Sequence, residues 1–151
     1  MPEEPVFVVE NRAGLEELIR RVSQLSDDQL AHPMDAGWTV AAVLCHLAFW
    51  DLRVVNLIRV WEGKGAGPSQ MDTDIANESM RELLLAIPPR AAVELAIDAA
   101  TRAEKTVAAL SPAQVADIES HGSPVRLNRS IHWRTHLGEI DQALGGGSSP
   151  A

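Results

Sequence analysis

Two histidines in the stretch IHWRTHLGEID, residues 131–141, have a spacing that could do chemistry. On an α-helix, His132 and His136 would lie side by side with about 5–6 Å between Cβ atoms, which allows one metal ion to bind both imidazoles. Such pairs are also common by chance, and a histidine at the edge of an apolar helix face is often bonded to a backbone carbonyl instead. The pair therefore predicts a metal site only if a third ligand converges on it.

His46 is the candidate for that third ligand. At about 100° per residue, it falls on the same face of its predicted helix as Val43, within an apolar stripe. By the same count, His132 and His136 border the apolar face of the last helix. Three buried histidines without a shared ligand would leave ring nitrogens unsatisfied. The positions therefore fit a metal held by His46, His132 and His136 between two helices, while histidines bonded individually within the core stay an alternative.

Two charged residues on the last helix are candidates for catalysis. Glu139 follows His136 by three positions, so it could orient an imidazole or relay a proton, or it could be a solvated surface carboxylate. Arg129 precedes His132 by three positions and could bind a carboxylate on a substrate or thiol, or it could simply face water. The sequence leaves both pairs of alternatives open.

The remaining histidines and the single cysteine are predicted to lie outside the site. His32 and His121 fall in predicted loops without a convergent partner, which favours surface or packing roles. Cys45 directly precedes His46 and therefore points about 100° away from it on a helix. We expect Cys45 to be a small buried group, and one cysteine excludes an internal disulfide.

The elements that must position these residues are helices. Apolar residues recur every three or four positions along four long segments, the first capped by Asn11 and the second by Thr39. The connection 64–89 is unusually long and contains a predicted short helix at 75–87, while Ser111 and Gln114 match a capping box. These patterns predict an all-α four-helix bundle with a long crossover between helices two and three. The four segments are 11–25, 40–61, 90–110 and 127–144.

Composition limits the partners. The chain carries 13 Lys and Arg against 21 Asp and Glu, a net charge of −8, which opposes binding to nucleic acid or anionic membranes. The acidic N-terminus does not resemble a signal peptide, and the sequence suggests no membrane span. We therefore expect a cytoplasmic protein with one domain over residues 1–144, a flexible tail over 145–151, and small molecules as partners.

Two motifs carry a family resemblance. GWTVAAVLCHLAFWD and HWRTHLGEI resemble the second-helix and last-helix signatures of the DinB-like four-helix-bundle metalloproteins, and the likeness extends through IANES over nearly the whole chain. The resemblance places the family's three metal ligands on His46, His132 and His136. It also implies similarity to thiol-dependent S-transferases and mycothiol-dependent maleylpyruvate isomerase, and it favours a homodimer. Glu139 stands where the family signature frequently has an amide.

The predicted donor set narrows the reaction. Three neutral nitrogens leave a divalent ion with an open position, as in catalytic sites. Trp133 occupies the place of the general-base glutamate in H-E-x-x-H, which argues against a metalloprotease. With Cys45 facing away, a sulfur nucleophile must arrive as a substrate, bind the metal as a thiolate and attack an electrophilic substrate. The family resemblance implies that this substrate is a low-molecular-weight thiol such as bacillithiol, mycothiol or glutathione.

Several alternatives remain at this level. Zinc suits imidazole ligands best, but nickel, iron or manganese would fit the same donors. A metal-bound hydroxide could hydrolyse a small electrophile with Glu139 as base and no thiol. The chain could also be a non-catalytic helical bundle that binds a partner through an apolar groove.

Overall fold

The computed structural model describes residues 3–145, and within them the fold is all-helical. Apart from one isolated β-bridge, this part of the chain contains no β-structure, which confirms the predicted all-α class. Of the predicted tail, residues 146–151 lie outside the described part. The helices are α1 (Val6–Ser23), α2 (Asp27–Leu30), α3 (Val40–Trp61), α4 (Thr73–Leu85), α5 (Pro89–Ala108), α6 (Pro112–Ser120) and α7 (Arg129–Leu144).

Helix α3 has the bounds that its sequence predicts. The Thr39 side chain accepts a hydrogen bond from the Ala42 amide at 3.1 Å, and Gly63, with φ of 79°, follows the last turn. By length and composition α3 could cross a membrane, a feature that the sequence analysis did not identify. However, 67% of its apolar window is buried inside the protein, as is typical of a core helix.

Helix α1 begins earlier than predicted. It starts at Val6, after Pro5, so the assignment of Asn11 as its cap is wrong. Asn11 is 1% exposed, and its side chain donates to the Leu127 carbonyl at 2.8 Å and accepts from the Ser130 amide at 3.0 Å. The asparagine therefore satisfies backbone groups at the start of α7 instead of capping its own helix.

The connecting segments contain the predicted short helices. In the crossover, α4 is capped by Asp72, whose side chain accepts from the Ile75 amide at 3.2 Å. The capping box of Ser111 and Gln114 is present at the start of α6. The segment between α1 and α3 adds α2 and a 3-10 turn at Asp35–Gly37, where Ala36 has φ of 57°.

Contacts between the long helices bring the histidine-bearing segments together. Helix α3 packs against α5, α7 and α4, and α1 packs against α5 and α7. The larger apolar cluster includes Leu44 of α3, Ala96 and Ala100 of α5, and Trp133 of α7. The small side chains on α5 permit close helix approach. In this packing the inner faces of α3 and α7 lie alongside each other.

Candidate metal centre

Three histidines from two helices converge beside the core. His46 comes from α3, and His132 and His136 come from successive turns of α7. Their candidate ligand atoms all lie within 4.8 Å of one another. The Nε2 atoms of His132 and His136 are 3.1 Å apart, and the His46 ring centroid lies 5.3 Å and 4.8 Å from theirs. The structure thus brings together the three residues that the sequence analysis selected as metal ligands.

The geometry and the donor chemistry fit a divalent ion. Nitrogens bound to one tetrahedral zinc at about 2.0–2.1 Å lie roughly 3.3 Å apart, close to the observed Nε2 separation. His46 Nδ1 is buried and has no hydrogen-bond partner among the described residues. A buried polar atom without a partner is costly unless a further group, such as an ion, binds that atom. The three residues could therefore hold one metal ion.

Burial keeps two of these rings neutral. Burial, followed by the neighbouring His136, lowers the pKa of His46 to about 4. Burial, followed by the charge of Arg129, lowers the pKa of His132 to about 3. Both rings are neutral at neutral pH, so each carries one N–H, one nitrogen lone pair and no positive charge that would oppose a metal ion.

Glu139 lies against His136. His136 Nδ1 and Glu139 Oε2 are 2.9 Å apart, and since the carboxylate can only accept, the ring donates from Nδ1. The ring nitrogen left to bind a metal is therefore Nε2, the atom that faces His132. The Glu139 side chain is 53% exposed and lines the adjoining cavity.

Arg129 is buried, so the water-facing alternative does not apply. The residue is 5% exposed, its Nε lies 2.8 Å from Asp51 Oδ1, and its Nη1 donates to the Arg126 carbonyl at 3.3 Å. Its Nη2 lies 3.3 Å from His132 Nδ1. A guanidinium only donates, so this contact assigns the lone pair to Nδ1 and the proton to Nε2. Metal binding at His132 Nε2 would require the tautomer with the proton on Nδ1, in which the contact with Arg129 Nη2 is no longer a hydrogen bond.

Asp51 is the residue of this region that the sequence analysis missed. It is fully buried on α3 and accepts hydrogen bonds from Arg129 Nε and, at 2.7 Å, from Trp133 Nε1. Burial raises the pKa of the Asp51 carboxyl, while Arg129 and Trp133 oppose that rise. The sequence signal for Asp51 was an acidic residue within an otherwise apolar helix segment. Buried carboxylates are almost always paired, so such a residue indicates a buried partner of opposite charge.

A cavity of about 740 Å³ adjoins the histidines. It lies between the segment before α3, the crossover helix α4 and the end of α7, and it therefore draws on parts of the chain that are far apart in sequence. Its wall combines apolar surface with amides and carboxylates. The residues that line it include His32, Asp35, Trp38, Val43, His46, Asn77, His136, Glu139 and Gln142.

The two other histidines both lie in connecting segments, as predicted. His32 is exposed, its Nδ1 lies 2.9 Å from the Pro33 carbonyl oxygen, and its ring lines the cavity, which the sequence did not indicate. His121 follows α6, and its Nδ1 lies 2.9 Å from the Asp117 carbonyl oxygen. Neither residue belongs to the three-histidine cluster.

Cys45 is a core residue, as predicted. It is 2% exposed within the larger apolar cluster and is not part of the histidine cluster. Burial raises the pKa of its thiol to about 11. The protein's own sulfur is therefore protonated and inaccessible at neutral pH.

The fold and the site define an all-helical protein with a three-histidine cluster that could bind a metal at the edge of a cavity. The chain belongs to the DinB-like family described as mycothiol maleylpyruvate isomerase N-terminal domain, whose family model matches residues 11–140. This match confirms the resemblance drawn from the two helix motifs. Neither a curated protein nor a solved structure matches the chain.

Proposed function

We propose that the protein is a metal-dependent transferase or isomerase that uses a low-molecular-weight thiol at a site formed by His46, His132 and His136. The supporting observation is that these three imidazoles converge beside a cavity, while Cys45 is buried in the core. A divalent ion held there would supply an open position at which an incoming thiol binds as its thiolate. Zinc is the first choice, with nickel, iron and manganese as alternatives.

The lining of the cavity favours an uncharged thiol. Among the described residues that line it there is no lysine or arginine, whereas Asp35 and Glu139 contribute carboxylates. Glutathione and bacillithiol carry carboxylates that this wall would repel. Mycothiol is a sugar-based thiol without a carboxylate, and the family description names it. Mycothiol is therefore our first candidate for the native thiol.

The charged residues of α7 have distinct roles in this proposal. Glu139 accepts from His136 Nδ1, orients that ring and can take a proton released into the cavity. Arg129 donates hydrogen bonds from Nε to Asp51 and from Nη1 to a backbone carbonyl. We therefore assign it to positioning His132 rather than to binding a substrate carboxylate. We expect Glu139→Gln to weaken metal affinity by about tenfold, the lower end of such effects, because the carboxylate is half exposed.

The scaffold is part of the same proposal. We treat residues 1–144 as one four-helix-bundle domain, formed by α1, α3, α5 and α7, with α4 in the crossover. The contacts among the four long helices support this arrangement. The net charge of −8 supports small molecules rather than nucleic acid or membranes as partners. We extend the proposal to a cytoplasmic protein, as expected above, and to a homodimer, as the family resemblance implies.

Metal analysis of protein purified without an affinity tag tests the ligand set. We expect one divalent ion per chain, because one ion satisfies three convergent rings. The ion should be lost in His46→Ala, His132→Ala and His136→Ala. It should remain in His32→Ala and His121→Ala, the matched controls, whose rings bond to backbone carbonyls. Equal metal content in all five variants would refute the site and favour the non-catalytic binding protein.

Cobalt-substituted protein tests the use of a thiol. Adding mycothiol should produce an intense thiolate-to-metal charge-transfer band, with weaker responses to glutathione and bacillithiol. The band should persist in Cys45→Ala, because the sulfur is external. A spectrum that no thiol changes at millimolar concentration would refute thiol activation and favour the metal-hydroxide hydrolase.

A further inference from the structure

We infer that Asn77 of α4 is a ligand-binding residue of this site, and that its side-chain amide donates to a neutral carbonyl oxygen on the thiol. This inference rests on the proposed thiol-binding function. Asn77 is half-buried and lines the cavity. Trp50 Nε1 donates to its Oδ1 at 3.0 Å. No described residue accepts a hydrogen bond from its Nδ2.

The Trp50 contact determines which end of the amide is available. An indole N–H can only donate, so it must bond to the amide oxygen, and this removes the usual ambiguity between amide oxygen and nitrogen. The oxygen of Asn77 is therefore already used inside the protein. The end of the amide without any partner among the described residues is the NH₂ group, which carries two donors.

The indole that fixes Asn77 is itself held in place. Its ring centroid lies 6.4 Å from that of His46, and the Arg53 guanidinium lies 5.7 Å from the indole ring. Arg53 Nη2 in turn donates to the Ser69 hydroxyl at 2.8 Å and to the Ser69 carbonyl at 3.2 Å. Trp50 thus links the histidine cluster to the crossover and places the Asn77 donor one indole ring away from His46.

The surroundings select the class of oxygen that this donor would bind. Asp35 and Glu139 line the same cavity, so an anionic carboxylate would meet like charge there. A neutral amide or carbonyl oxygen accepts from Asn77 without that penalty. The ligand class that fits is an uncharged thiol with an amide carbonyl beside its sulfur-bearing arm.

An isosteric substitution separates this role from a structural one. Asn77→Asp keeps an oxygen that accepts from Trp50 but removes both donors. The probes are N-acetylcysteamine, a neutral thiol with an amide, and ethanethiol, which has none. In titrations of the cobalt-substituted protein, Asn77→Asp should weaken N-acetylcysteamine binding about 3- to 10-fold more than it weakens ethanethiol binding, because the added charge acts on both thiolates and the lost donor acts on one. Asn56→Asp, on the exposed face of α3, adds the same charge and should change neither probe.

Two measurements make the result independent of folding. Metal content and melting temperature of Asn77→Asp should match those of the wild type, because the Trp50 bond is kept. In the wild type, the Asn77 side-chain NH₂ resonances should shift with N-acetylcysteamine and not with ethanethiol. Equal weakening of both probes, or no weakening, would overturn the inference while leaving thiol binding intact. A metal-loaded wild type that binds neither probe would overturn the proposed function together with it.

Discussion

The buried ion pair behind His132 should be strongly coupled, and Arg129→Met is the change that tests it. Side-chain exposure is 6% for Arg129 and 0% for Asp51, so neither charge is screened by water. Removing the guanidinium would leave a buried carboxylate with Trp133 as its remaining partner. Breaking such a pair costs about 3–5 kcal/mol, which for a chain of this size lowers the melting temperature by roughly 10 °C.

Removing the second charge should recover most of that loss. In Arg129→Met with Asp51→Asn, the amide oxygen at position 51 still accepts from Trp133 Nε1 and no buried charge remains. We expect a coupling free energy of about 2 kcal/mol or more in the double-mutant cycle. Urea denaturation of the metal-free protein at pH 7.5 measures all four variants without a contribution from metal binding.

The pH dependence of the unfolding free energy provides an independent test of this ion pair. Burial already raises the pKa of Asp51, and removal of Arg129 should raise it further. A carboxyl whose folded-state pKa lies above its unfolded value of about 3.9 lowers the unfolding free energy at pH values above the folded-state pKa. That lost free energy is recovered as pH falls toward 3.9. The deficit of Arg129→Met relative to the wild type should therefore be smaller at pH 5 than at pH 7.5. A loss below about 1 kcal/mol, or a double variant no more stable than Arg129→Met, would refute the reasoning.

Two further predictions concern the histidines and the helix contacts. Because His46 and His132 have folded-state pKa values of about 4 and 3, below the ordinary value, the unfolded chain binds more protons below pH 6.5. The unfolding free energy of the metal-free protein should fall by about 1.4 kcal/mol per pH unit for each ring as pH falls from 6.5 to 4. Equal unfolding free energies at pH 7 and pH 5 would contradict this. Gly14→Ala should cost about 1–2 kcal/mol, since a Cβ there would lie 2.7 Å from Ser130 Cβ. Gly138→Ala, with nothing within 4 Å, should instead stabilise by about 0.5–1 kcal/mol; equal effects of the two alanines in urea denaturation would show that α1 and α7 do not approach closely.

The helices and the direction of the three histidines could be predicted from the sequence. Thr39 before an apolar run and Gly63 after it gave the bounds of α3, because caps and terminating glycines act within one helical turn. The helical period also predicted that His46, His132 and His136 lie on inward faces, because the angle between side chains on one helix depends only on their spacing.

Tertiary packing decided the rest. The local capping rule predicted that Asn11 caps α1. Because α1 packs against α7, the Asn11 side chain instead forms hydrogen bonds with backbone groups of Leu127 and Ser130. The partner of Asp51 lies 78 positions away, and Trp50 is paired with Asn77 across the crossover. A cavity wall and a buried ion pair join segments that are distant along the chain. The spacing of residues along the sequence does not indicate these long-range contacts, because they form only when the helices pack against each other.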